Sequence, residues 1–336
     1  MALALLLPLA LLLSCAPAPA PPKGRPQNIE LTILGFRAGT SMQLRADAIA
    51  EAIRKEYPDW KVASLAPGGE AQLIAKRISG EWDFLLTPYP RLLELEVHVP
   101  LHPEIDFAKA SDYSIVMPTS PHYIHFFALG KTGLNSIKEL VDKKYPFKAG
   151  TGPGGSKLLF SKILEHYGAS LAEAEAWGAK HETVIVATPA GAEALQTGRI
   201  DIGLSWSGIP NPPFMGTTFD LKLLPIDDPG LIEMFESLGY YQATIPAGTY
   251  PFLTEDVPTM AETEFLAARP DLPEDVVYYT LKALFNNKHI LIAAHTDFEE
   301  EMSGEAIASA LAVAERVGLP IHPGALKYYR EQGWID

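Results

Sequence analysis

Ser79-Gly80-Glu81-Trp82-Asp83 and Thr197-Gly198-Arg199-Ile200-Asp201 follow one pattern: hydroxyl, glycine, charge, large apolar residue, aspartate. Two more landmarks precede each copy in the same order and at nearly constant separation. Ala38-Gly39-Thr40-Ser41 is echoed by Ala149-Gly150-Thr151-Gly152, and Pro67-Gly68-Gly69-Glu70-Ala71 by Pro189-Ala190-Gly191-Ala192-Glu193-Ala194. The segment from Leu31 to Pro88 is therefore repeated from Lys148 to Trp206.

Around these landmarks the apolar pattern switches period. Leu31 to Phe36 and Val62 to Leu65 are short apolar runs of strand type that end in glycine-bearing turns. Ala46, Ile49, Ala50 and Ile53 then recur at helical spacing, as do Ala71, Ile74, Ala75 and Ile78, and Phe160, Ile163, Leu164 and Tyr167. Pro58, Gly80 and Gly168 stop these helices. Strands alternating with amphipathic helices predict βαβ units and a mainly parallel sheet, built twice, so that two similar α/β lobes are expected. Ligands of such sheets sit beyond the carboxyl ends of the strands, where helix N-termini are exposed. Two such edges facing each other would enclose a small solute with N–H groups and positive helix ends, which suits a carboxylate or another anion.

The chain has 336 residues, 47% hydrophobic and 20% charged, the composition of a globular protein long enough for about two domains. A net charge of -14 and the lack of basic runs argue against nucleic acid. With one cysteine no internal disulfide is possible. That residue, Cys15, follows the apolar run Leu3 to Leu13 and precedes the Pro/Ala tract Ala16 to Pro22. Leu12-Leu13-Ser14-Cys15 resembles a bacterial lipobox, which implies removal of residues 1–15 as a signal segment and lipidation of Cys15. Residues 16–27 then read as a Pro-rich, semi-rigid spacer. No later stretch approaches the ~20 apolar residues of a membrane span.

Motifs of chemistry are approached and missed. Gly150-Thr151-Gly152-Pro153-Gly154-Gly155-Ser156-Lys157 inverts the Lys-Ser order of a P-loop, so an NTPase is not expected, but an anion-cradling turn is. Thr151, Ser156 and Lys157 are candidate contacts, with Ser156 also a candidate N-cap. Gly203-Leu204-Ser205-Trp206-Ser207 lacks the second glycine of a nucleophile elbow. Ser205 and Trp206 fall where a strand should end and are expected to line a cleft. His98 with His102, and His122 with His125, have metal-like spacing, but Pro100, Pro103 and Pro121 oppose the helices it needs, so no metal is expected. Asp83 and Asp201 read as turn-capping residues. No cofactor is implied.

Further residues carry a resemblance. Leu224-Pro225-Ile226-Asp227, Ala243-Thr244-Ile245-Pro246-Ala247-Gly248-Thr249-Tyr250-Pro251 and Thr254-Glu255-Asp256-Val257-Pro258-Thr259 resemble the TAXI-type solute-binding proteins of TRAP transporters. Leu272-Pro273-Glu274-Asp275-Val276-Val277-Tyr278 and His322-Pro323-Gly324-Ala325-Leu326-Lys327-Tyr328-Tyr329-Arg330-Glu331 look like two more of that family's signatures. The resemblance implies a two-lobed venus-flytrap of the periplasmic binding protein type II kind, outside the cytoplasm, delivering a solute to TRAP membrane subunits without catalysis. It also implies two crossings between lobes, near Met117 to Tyr123 and Tyr241 to Pro246. Lobe 1 is thus expected over 28–118 plus 246–336, and lobe 2 over 119–245. By their place at strand ends, Thr40, Ser41, Gly69, Thr87, Gly152, Ser156, Lys157, Ser205 and Trp206 are the candidate ligand contacts. Arg37 adds a cation beside the first turn. Other readings are a stand-alone extracytoplasmic sensor of the same fold, and a hydrolase using Ser205 or a histidine-bound metal.

Overall fold

The computed structural model describes residues 24–68, 70–87, 112–152, 155–316 and 318–336. Cys15, the signal segment, most of the spacer, Gly69, His98 and His102 lie outside them. Among the described residues no helix is long and apolar enough to cross a membrane.

The first half of the repeat folds as β1 (Glu30–Leu34), α1 (Ser41–Glu56), β2 (Lys61–Leu65), α2 (Glu70–Ser79) and β3 (Phe84–Thr87). The long strand β4 (Ser114–Leu129) leads through the short α3 (Glu139–Asp142) to the second half. That half is β5 (Lys148–Thr151), α4 (Gly155–His166), α5 (Leu171–Ala176), β6 (Lys180–Thr183), α6 (Pro189–Gln196) and β7 (Ile202–Ser207). After β8 (Leu221–Leu223), α7 (Pro229–Ser237) and β9 (Tyr241–Ile245), the chain returns in β10 (Val257–Ala268). It ends in α8 (Glu274–Asn286), α9 (Lys288–Ala294), α10 (Phe298–Glu301), α11 (Gly304–Arg316) and α12 (Pro323–Glu331).

These strands form one ten-stranded sheet in the order β2-β1-β3-β10-β4-β7-β5-β6, with β8 on β4 and β9 on β10. The orders β2-β1-β3 and β6-β5-β7 are the same arrangement, so the sequence repeat is a structural repeat. The aspartates of its third landmark explain why it is retained. Asp83 Oδ2 accepts from the Thr32 N–H at 2.8 Å, and Asp201 Oδ1 accepts from the Lys148 N–H at 2.7 Å. In both copies the aspartate N–H also donates to the carbonyl of the same strand residue, at 2.9 and 2.8 Å. Gly80 and Gly198 precede them with φ of 73° and 68°, conformations that L side chains rarely adopt. The first landmark does not superpose. Gly39 and Thr40 lie beyond β1 in the turn, whereas Gly150 and Thr151 are inside β5, where a Cβ on Gly150 would meet Val184 and Ile200 at 2.6 and 2.5 Å. Those glycines match in spelling but serve different needs.

The core splits along the same line. One apolar cluster gathers residues from Leu31 to Leu86, Tyr113 to Met117 and Phe265 to Tyr329. The other two gather residues only from the stretch between Ile124 and Met260. Between these cores run the antiparallel strands β4 and β10, paired from Ala261↔Tyr123 to Ala268↔Ser114 with two register shifts. The fold is α/β and two-lobed, with one mixed sheet flanked by helices.

Candidate functional site

The strand directions define the site. β3 is parallel to β1, as β2 is, runs antiparallel to β10, and ends at Thr87 opposite Phe265. β7 is parallel to β5, antiparallel to β4, and ends at Ser207 opposite Tyr123, which itself faces Ala261. Two sets of three parallel strands therefore run toward the same crossing from opposite sides. Along β10 only Glu262, Thr263 and Glu264 separate their meeting points, about 13 Å at ~3.3 Å per residue. That gap has the size of a small metabolite. α1, α2, α4 and α6 each follow one of these strands, so their N-termini open on it and favour negative charge.

The first edge carries Arg37, Thr40 and Ser41. Thr40 is the N-cap of α1: its Oγ1 accepts from the Gln43 N–H and donates to the Arg37 carbonyl at 2.7 Å. Ser41 is exposed. The half-buried Arg37 lies over the Phe36 ring, and its buried Nε has no hydrogen-bond partner. Thr87, at the end of β3, is 2% exposed with an unpartnered hydroxyl.

On the second edge Gly152 is packed so closely to the α4 N-terminus that a Cβ would stand 2.9 Å from Ser156 Oγ. Ser156 is the second residue of α4, inside the helix, so it is not the N-cap that its sequence suggested. Lys157 is exposed, and it helps burial lower the pKa of His181, whose Nε2 lies 2.8 Å from Thr151 Oγ1. Ser205 is buried in β7, while Trp206 is half-buried against the second cluster. Ser207 was not among the candidates, yet it ends the strand with a buried, unpartnered hydroxyl. No described hydrogen bond joins a candidate of one edge to a candidate of the other.

The floor of the gap is polar, and sequence reasoning missed it. Arg45 of α1 and Glu264 of β10 are 1% and 0% exposed and form a two-pronged pair at 2.8 and 2.9 Å. Thr119 Oγ1 donates to the same carboxylate at 2.7 Å. Burial pushes the Glu264 carboxyl up, but the Arg45 guanidinium and the Thr119 hydroxyl outweigh it and hold the group below its ordinary range. Asp297 at the start of α10 accepts from Ser120 Oγ and lies 3.3 Å from His295 Nδ1. A Cβ on Gly208, just past β7, would stand 3.6 Å from Asp297. The signal was present as Glu262 and Glu264, two acids at alternate positions of a mostly apolar strand.

Hydrolytic geometry is not assembled at Ser205. His125 lies opposite it in the β4/β7 register, but the ring is fully buried and both nitrogens are engaged. Nδ1–H donates to the Tyr123 carbonyl at 2.9 Å, and Nε2 accepts from the Tyr250 hydroxyl at 2.7 Å. His122 and His125 stand on strand β4, and among the described residues no group of His, Cys, Asp or Glu is arranged to hold a metal.

Comparison with known proteins agrees with this architecture. The malate-bound protein MatC from Rhodopseudomonas palustris superposes with a TM-score of 0.50 at 15% identity, over 86% of this chain and 96% of its own. The periplasmic binding protein BugD does so with a TM-score of 0.50 at 18% identity, over 91% and 97%. At such identities the likeness shows the fold, that of periplasmic solute-binding proteins. Residues 101–333, well over half the sequence, match the model of the NMT1-like family. The chain belongs to the NMT1-like family.

Proposed function

We propose that the protein is an extracytoplasmic receptor that captures a small carboxylated solute between its lobes and delivers it to TRAP membrane subunits, as a TAXI-type member. The observation that carries the reading is the convergence of six strand ends from two lobes on one crossing. It is supported by unpartnered polar groups at three of those ends, Arg37 Nε, Thr87 Oγ1 and Ser207 Oγ. Buried donors without partners are costly, and a ligand oxygen would satisfy them. Arg37 and Lys157 give the two edges a positive bias without any described acid among the candidate contacts.

In this reading lobe 1 holds the first apolar cluster and lobe 2 the other two. The chain then returns to lobe 1 inside β10, not near Tyr241 to Pro246, because Ile245, Tyr250 and Leu253 pack with Phe127 and Phe214. Lipidation of Cys15 would hold the receptor at the membrane.

The deciding experiment is mass spectrometry of small molecules released from freshly purified, denatured protein, followed by small-angle scattering with the recovered compound or a panel of carboxylates. A stoichiometric carboxylate and a smaller radius at saturation are expected. An unchanged radius with every saturating ligand would remove the flytrap mechanism.

A further inference from the structure

The crossing strands hold a carboxyl group that solute capture leaves without a role. Glu262 is 1% exposed and lies opposite His122 in the β4/β10 register. The Tyr240 hydroxyl is the hydrogen-bonding group beside it, and His122 Nδ1, 4.0 Å from Oε1, makes no hydrogen bond. The far side of that imidazole is occupied, with Nε2 3.4 Å from Arg45 Nη2 and 3.6 Å from Glu264 Oε2. Arg45 is already matched by Glu264, so no cation remains for Glu262.

The other groups around it do not supply one. His122 is kept neutral, its pKa lowered to about 4 by burial and by Arg45 against the pull of Glu264 and Asp297. Tyr240 and Tyr241 approach from the β9 side, and Glu264 adds a negative charge on the same strand. Beyond them lie His295, Asp297 and Glu301 around His122 and Tyr241. Burial pushes the Glu262 carboxyl well above its ordinary range; the Tyr240 hydroxyl opposes this and Glu264 adds to it. A buried carboxylate without a counter-charge takes up a proton in preference to staying ionised.

Position gives this proton a consequence. Glu262 lies in the short stretch between Ala261, level with the end of β7, and Phe265, level with the end of β3. A change in lobe angle has to be absorbed in this stretch and its β4 partner. We propose that Glu262 and His122 form a proton-operated hinge: with a proton on Glu262 the carboxyl stays buried between the crossing strands, and its loss drives the lobes to an arrangement in which the carboxylate reaches water. This inference rests on the two-lobed receptor reading.

The test is small-angle scattering of the solute-free full chain from mildly acidic to mildly basic pH. The wild-type radius should shift with pH, and Glu262→Gln, which cannot ionise, should hold the acidic value throughout. Glu301→Gln controls for a second glutamate with a raised pKa, a half-buried one whose carboxyl burial raises to about 7, and should keep the wild-type shift. A Glu262→Gln protein that titrates like wild type overturns the proposal. Should that variant not fold, a carbon NMR titration of the wild-type glutamate carboxyls decides. One carboxyl besides that of Glu301 should stay protonated above the ordinary range, and ionisation of all others together overturns the hinge. Closure by carboxylate solutes with no pH shift dependent on Glu262 would remove this inference alone, whereas absence of closure would remove the receptor reading.

Discussion

Arg45 and Glu264, 219 residues apart in sequence, meet in a two-pronged ion pair that ties helix α1 to the strand leaving the second lobe. Both are almost fully buried, so each is the other's counter-charge. Removing one partner leaves an uncompensated ion, at a cost of about 3–5 kcal/mol. Arg45→Ala and Glu264→Ala should each lose this much in urea unfolding, and the pair replaced by Met and Leu should lose much less. Because the Glu264 carboxyl is held below its ordinary range, its share of stability is present above the unfolded-state pKa and disappears as pH falls through the folded one.

His125 should produce a separate acid limb. Burial lowers its pKa to about 4, with the Tyr123 carbonyl opposing, while an unfolded histidine titrates near ~6.5. Between these values the unfolded chain binds the extra proton, so stability should fall as pH drops from the higher to the lower. The full effect is of order 3 kcal/mol at ~1.4 kcal/mol per pKa unit. His125→Gln should make that part of a stability-against-pH curve shallower, leaving the slope due to His122, and an unaltered slope would contradict the assignment.

Thr87 and Ser207 should separate binding from folding. Their hydroxyls are buried without partners, so Thr87→Ala and Ser207→Ala should leave thermal stability unchanged or raised. Each should weaken carboxylate binding by about 1.5–3 kcal/mol if it donates to a charged ligand. Calorimetry on both variants reads the two effects together.

Thr40→Ala is expected to behave in the opposite way. The hydroxyl already caps α1, so its removal should cost about 1 kcal/mol of stability. Restoration of the melting temperature by Thr40→Ser would identify the cap as the cause.

Asp83 and Asp201 hold equivalent places in the two lobes, each receiving an N–H of the adjacent strand. Alanine at either should cost about 1.5–3 kcal/mol. The double variant should show the sum in denaturant unfolding, since the sites share no partner.

The chain order alone determined the repeat, the alternation of strands with amphipathic helices, and the strand ends at which a ligand is proposed to bind. Local physics writes these directly: Gly80 and Gly198 need positive φ, and Ala46, Ile49, Ala50 and Ile53 face one side of a helix because the helical period is fixed. Spelling misled where one motif served two geometries, as with Gly39-Thr40 in a turn and Gly150-Thr151 in a strand. Only the tertiary structure decided the floor of the gap. Arg45 on its helix, like Glu262 and Glu264 on their strand, reads as an ordinary surface charge until β10 passes between the lobes and closes water out. Burial and pairing over hundreds of residues have no local period, and they turn those three charges into the polar centre of the hinge.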